Sequence, residues 1–69
     1  MPDELLSPRE AEVLTFMTRG QSNKQIAKAM GISQWTVKAY VQSIFAKLNV
    51  PNRAAAAALW SRRPEDRGE

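Results

Sequence analysis

The sequence predicts an all-α fold, a four-helix bundle containing a helix-turn-helix, and three observations carry that expectation. Ser7, Ser22, Ser33 and Asn52 are capping residues, and each stands just before a segment whose apolar residues recur at helical spacing. Gly20, Gly31 and Pro51 punctuate the chain between those segments. No stretch alternates apolar and polar residues as a strand would, and no repeat or low-complexity linker interrupts the pattern. At 69 residues the chain is one domain at most. A domain of that size buries only about 60% of its unfolded surface, so its core must be thin.

The first element opens on Ser7-Pro8-Arg9-Glu10, which combines a capping hydroxyl, a proline at the first helical position and a glutamate three residues after the cap. The spacing predicts a helix over 8–19, with Val13, Leu14 and Met17 on one side and Gly20 at a left-handed stop. Ser22 and Gln25 repeat the capping-box spacing, and Ile26, Ala27 and Met30 form the inner side of a second helix that ends at Gly31. Lys24 and Lys28 point the other way. Ser33 caps a third helix over about 34–49, in which Val37, Val41, Ile44, Phe45 and Leu48 make one apolar stripe up to Pro51, expected to be the stop. Trp35, Lys38, Ala39, Gln42 and Ala46 cluster opposite. Asn52 caps a last, alanine-rich helix, "RAAAAALWSRR", which closes a domain over 7–63. Residues 1–6 read as a lead-in and "PEDRGE", 64–69, as a disordered tail.

Between the second and third helices only Gly31-Ile32-Ser33 intervene. A connection this short fixes the angle between two helices, as in a helix-turn-helix, where the second helix is left free to enter a DNA groove. Ala27 is small enough for a close crossing, Gly31 supplies positive φ, and Ile32 with Val37 plugs the corner. Two helices joined by glycine also occur in bundles with no ligand, so the outward face decides. It carries a cation, an amide and two apolar groups, which are base-edge-reading types.

Charge points the same way. The net charge is +3, yet all seven acids lie near the ends: no Asp or Glu stands between Val13 and Pro64, where Arg19, Lys24, Lys28, Lys38, Lys47, Arg53, Arg62 and Arg63 are found. A folded body of that composition projects a positive field suited to a polyanion. With no Cys and no His, thiol and imidazole catalysis and most metal chemistry are excluded, and neither a cofactor, a metal nor a small-molecule ligand is expected. No clustered acids or glycine-rich phosphate loop suggest an enzyme. No apolar run approaches the roughly 20 residues of a membrane span, and the N-terminus lacks a signal-peptide pattern, so a cytoplasmic, nucleoid-associated location is expected.

The words "LSPREAEVL", "GQSNKQIAKAMGIS", "TVKAYVQSIFAKLNV" and "NRAAA" resemble the LuxR/FixJ-type (GerE-like) DNA-binding domain of bacterial transcription regulators, over about Leu6 to Ala58. The resemblance implies a tetrahelical domain with the third helix as recognition helix and the fourth as a homodimer contact. It also implies base contacts in the "TVKAYVQ" segment. The expected base-contacting residues are Trp35, Lys38, Ala39 and Gln42; phosphate contacts are expected from Lys24, Lys28, Ser33, Gln34, Thr36 and Lys47. Ala56, Ala57 and Trp60 are expected at the dimer seam, although Trp60 has a second option in its own core. Glu10 lies on the core side of the first helix and needs a partner, for which Arg53 is the candidate.

Two positions depart from the family pattern. Tyr40 stands where many members have His and is read as a ring at the core edge. Trp35 replaces a small or polar residue and suits a thymine methyl, a sugar or a protein surface. The competing functional class is therefore a protein-interaction module, a co-regulator or decoy that grips RNA polymerase or another regulator. Family members usually carry a sensing domain before this module. Met1 and the short acidic lead-in favour a free-standing regulator over an excised domain.

Overall fold

A computed structural model describes residues 5–62. Among the described residues the chain forms four helices, α1 (Pro8–Thr18), α2 (Asn23–Met30), α3 (Gln34–Leu48) and α4 (Arg53–Ser61), and no strand. The expected tail and Arg63 lie outside the described residues, as do residues 1–4.

Each helix starts where its cap dictates. The Ser7 hydroxyl accepts from the Glu10 amide while the Glu10 carboxylate accepts from the Ser7 amide, and Ser22 with Gln25 makes the same reciprocal pair. Ser33 Oγ accepts from Thr36 N at 3.0 Å, and Asn52 Oδ1 from Ala55 N at 2.9 Å. The stops differ slightly from expectation. Residue 19 is the cap of α1 and not its last turn, and Gly20 follows at φ +80°. α3 is stopped by Asn49, which takes the left-handed conformation at φ 56° so that the Val50 amide can reach the Phe45 carbonyl at 3.1 Å. Pro51 stands after a helix that has already ended.

The core is assembled from one stripe of each helix: Val13, Leu14 and Met17 of α1, Ile26 and Ala27 of α2, Val37, Val41 and Ile44 of α3, and Ala56 and Trp60 of α4. Leu6, placed in the lead-in by its sequence position, is buried in it too. Tyr40, Phe45 and Leu48 pack at its margin, Tyr40 as expected. α1 lies against both α3 and α4, and α2 packs on α3, so α3 touches every other helix.

One charge is taken inside. Glu10 is only 5% exposed, and its carboxylate accepts from three donors: Ser7 N at 2.8 Å, Lys47 Nζ at 2.8 Å and Ser43 Oγ at 2.6 Å. The expected Glu10–Arg53 pair is therefore corrected to Glu10–Lys47. Arg53 instead donates to Asn23 Oδ1 at 2.9 Å and to the Gln21 carbonyl, tying the start of α4 to the α1–α2 loop and the first residue of α2. The fourth helix brings a second correction. Ala56 is fully buried and Trp60 is 3% exposed, its indole N–H donating to Thr15 Oγ1 at 3.2 Å, so neither side chain is available at an outer seam. Ala57 is half-buried.

Burial pushes the Glu10 carboxyl up, but the hydrogen bonds from Lys47, Ser43 and the Ser7 amide, with the Lys47 charge, overcome it and hold its pKa at about 2 against an ordinary 4.5. A depressed folded pKa contributes stability that is complete above pH 4.5 and is lost as pH falls toward 2. Glu10→Gln should destabilise the domain by about 1–3 kcal/mol at neutral pH, since Lys47 keeps its hydration but the carboxylate's charge-assisted bonds are gone. Thermal melts followed by circular dichroism at pH 7 and pH 3 should show the gap between wild type and variant narrowing in acid. An equal gap at both values would contradict the pairing.

Candidate nucleic-acid interface

The turn between α2 and α3 is what exposes the site. Gly31 takes φ 69° and ψ 35°, and the Ile32 amide returns to the Ala27 carbonyl at 3.0 Å, which closes α2 and starts α3 within three residues. Ile32 packs against the core and Val37 is fully buried, so the first turns of α3 are pinned from inside. The opposite face of α3 is bare.

On that face Trp35, Lys38, Ala39 and Gln42 are all exposed and together line a shallow depression of about 200 Å³. All four residues expected to touch bases are thus brought to one place. Positions 35 and 39, and 38 and 42, are each four apart, so an apolar ridge runs beside a polar one along the helix. Trp35 is 80% exposed, which is unusual for an indole, because an aromatic ring of that size normally covers apolar surface.

The residues expected on phosphates divide into three groups. Lys24 and Lys28 stand exposed and four apart on α2, without an ion pair among the described residues. At the start of α3, Gln34 is exposed, whereas Ser33 and Thr36 are engaged with each other: their hydroxyls lie 2.9 Å apart in addition to the cap bond. Their local role is to cap α3, and the helix's first amides lie beside them. Lys47 is the exception, because its Nζ is held 2.8 Å from the Glu10 carboxylate and neutralises a buried charge while the side chain stays 41% exposed. Sequence reasoning missed Ser43 as its companion. Ser43 and Lys47 are four apart on the margin of the apolar stripe, the one signal that marked them as facing α1.

Among the described residues no group of His, Cys, Asp or Glu is arranged to hold a metal ion, and no helix is long and apolar enough to cross a membrane. The chemistry available at the face is recognition: donors from Lys38, donor and acceptor from Gln42, apolar surface from Trp35 and Ala39.

Comparison with known proteins meets this geometry directly. The family model described as bacterial regulatory proteins, luxR family, matches residues 4–60, most of the chain. This chain belongs to that family. Its four helices are the family's helix-turn-helix DNA-binding domain, with α2 and α3 as the two helices of the motif. Among similar proteins, the nitrate/nitrite response regulator protein NarP of Escherichia coli (strain K12) is 44% identical over 59 residues, covering 86% of this chain and 27% of NarP. The uncharacterized transcriptional regulatory protein YhcZ of Bacillus subtilis (strain 168) is 50% identical over 52 residues, covering 75% of this chain and 24% of YhcZ. The transcriptional regulatory protein DegU of Brevibacillus brevis is 47% identical over 55 residues, covering 80% and 23%. The chain thus spans about a quarter of the length of these curated relatives.

The division of cations within this luxR-family domain has a measurable consequence. Lys24→Ala and Lys28→Ala should each flatten the slope of log K against log salt for DNA binding by about one, without changing the melting temperature. Lys47→Ala should do the reverse, lowering the melting temperature by several degrees, because it leaves Glu10 buried and uncompensated. If Lys47→Ala flattened the salt slope and left the melt untouched, Lys47 would be a phosphate contact after all.

Proposed function

We propose that the chain binds double-stranded DNA in a sequence-dependent way, as the DNA-reading domain of a transcription regulator acting as a homodimer, with α3 in the major groove. The observation that carries this reading is the outer face of α3, where Lys38 and Gln42 stand exposed beside Ala39 on a helix anchored along its other side. Lys38 suits guanine O6 and N7, Gln42 suits adenine N6 and N7, and the small Ala39 allows the helix backbone to approach the base edges. Lys24 and Lys28 hold flanking phosphates, and the first amides of α3, behind Ser33, Gln34 and Thr36, suit another.

The homodimer is assigned to the outer side of α4. With Ala56 and Trp60 committed to the core, the surface left is Ala54, Ala58 and Ser61, spaced at one face of the helix and exposed, with Ala57 at its edge. A two-fold pair would place two copies of α3 about one DNA turn apart, roughly 34 Å. The role is binding in the cytoplasm on the nucleoid, not catalysis.

Selection from a random DNA pool, followed by titration of the enriched duplex and of random DNA, tests the reading. The enriched sequence should be a near-palindrome bound by two chains. Lys38→Ala should weaken binding to it by about tenfold while changing random-DNA affinity far less. Failure to enrich any sequence, together with capture of RNA polymerase by the purified chain, would replace DNA reading with the protein-interaction role.

A further inference from the structure

We infer that the ridge formed by Trp35 and Ala39 is a seat for the C5-methyl group of thymine, so that a thymine at one fixed place in the bound sequence is selected through its methyl. This rests on the proposal that α3 lies in the major groove.

Three features of the face lead there. Trp35 is the second residue of α3, in the first turn, the part of a recognition helix that meets base edges, and its ring is 80% exposed. Ala39, four residues on, extends the same apolar ridge by a methyl's width and no more, leaving an open depression beside the indole and not a filled corner. Finally, Lys38 and Gln42 form the neighbouring ridge and line the same depression. Among the groups that base pairs present in the major groove, the thymine methyl is the largest apolar element, and it lies among purine N7, O6 and N6 atoms. An apolar ridge beside a donor-rich one is complementary to that arrangement.

The same chemistry argues against the alternatives. Cytosine at this place would offer the indole only a C5 hydrogen, leaving the seat unfilled, and would set its N4 amino donor where thymine has the O4 acceptor; the groups best suited to receive that donor, Asp or Glu, are absent from the sequence between Val13 and Pro64. A tryptophan used to grip a protein normally sits centrally among apolar residues that exclude water. Here its companions on the depression are a lysine, an alanine and an amide, and the surrounding charge favours an anion.

The test replaces each thymine of the enriched operator by uracil, which removes the methyl and nothing else, and measures affinity for wild type, Trp35→Ala, Trp35→Phe and Lys38→Ala. Burial of one methyl corresponds to about a fourfold change. Wild type should lose about fourfold at one thymine of each half-site; Trp35→Ala should bind the thymine and uracil duplexes equally, Trp35→Phe should keep part of the difference, and Lys38→Ala should keep all of it. Because Trp35 projects into solvent, these variants should melt with wild type. Uracil tolerated at every position, or a methyl effect undiminished in Trp35→Ala, would overturn the thymine seat while Lys38-dependent selectivity left the major-groove reading standing. If the pool yields no preferred sequence, the groove reading itself fails and the seat falls with it.

Discussion

Glu10 is the charge on which the packing of this small domain turns. A carboxylate buried to 5% exposure is tolerable only when its oxygens are fully engaged, and Ser7, Ser43 and Lys47 engage them from the start of α1 and the far half of α3. The interaction is directional where the apolar contacts around it are not, so it fixes how α3 lies along α1. The near half of α3 is fixed separately, by the Gly31 turn and the buried Val37. Held at both ends, α3 has no freedom to roll, and the face with Trp35, Lys38, Ala39 and Gln42 must point outward.

That arrangement also sorts the cations by function. Lys47 and Arg53 are absorbed into the structure, one by a carboxylate and the other by Asn23 and the Gln21 carbonyl. Lys24, Lys28 and Lys38 remain exposed on the two helices of the motif. A count of positive charges overstates the charge free to meet a polyanion, because part of it is already engaged by partners within the fold. The field still has one sign across the motif, since no acid stands between Val13 and Pro64.

Most of the fold was legible because its signals are local. Caps act over three residues and helical periodicity over one or two turns, so Ser7, Ser22, Ser33 and Asn52 placed all four starts, and the wheel separated Val37, Val41 and Ile44 from Lys38 and Gln42. What failed was non-local. Whether Glu10 meets Lys47 or Arg53 depends on where helices cross, which spacing within one helix does not reveal. For Trp60 the sequence left both the seam and the core open; in the core its indole N–H finds the Thr15 hydroxyl of α1. Pro51 drew attention from Asn49 because a proline is a louder stop signal than an asparagine, although the left-handed Asn49 ends α3 first.

The two tryptophans offer the most direct view of the central claim, that the outer face of α3 is the surface that meets DNA. Their indole N–H signals can be followed together by proton–nitrogen NMR of the intact chain as a duplex is added in dilute buffer. The account predicts that the Trp35 signal shifts with the backbone amides of Lys38, Ala39 and Gln42, while the Trp60 signal, sheltered against Thr15, stays in place. Movement confined to α4, or a Trp35 signal unmoved at saturation, would contradict it.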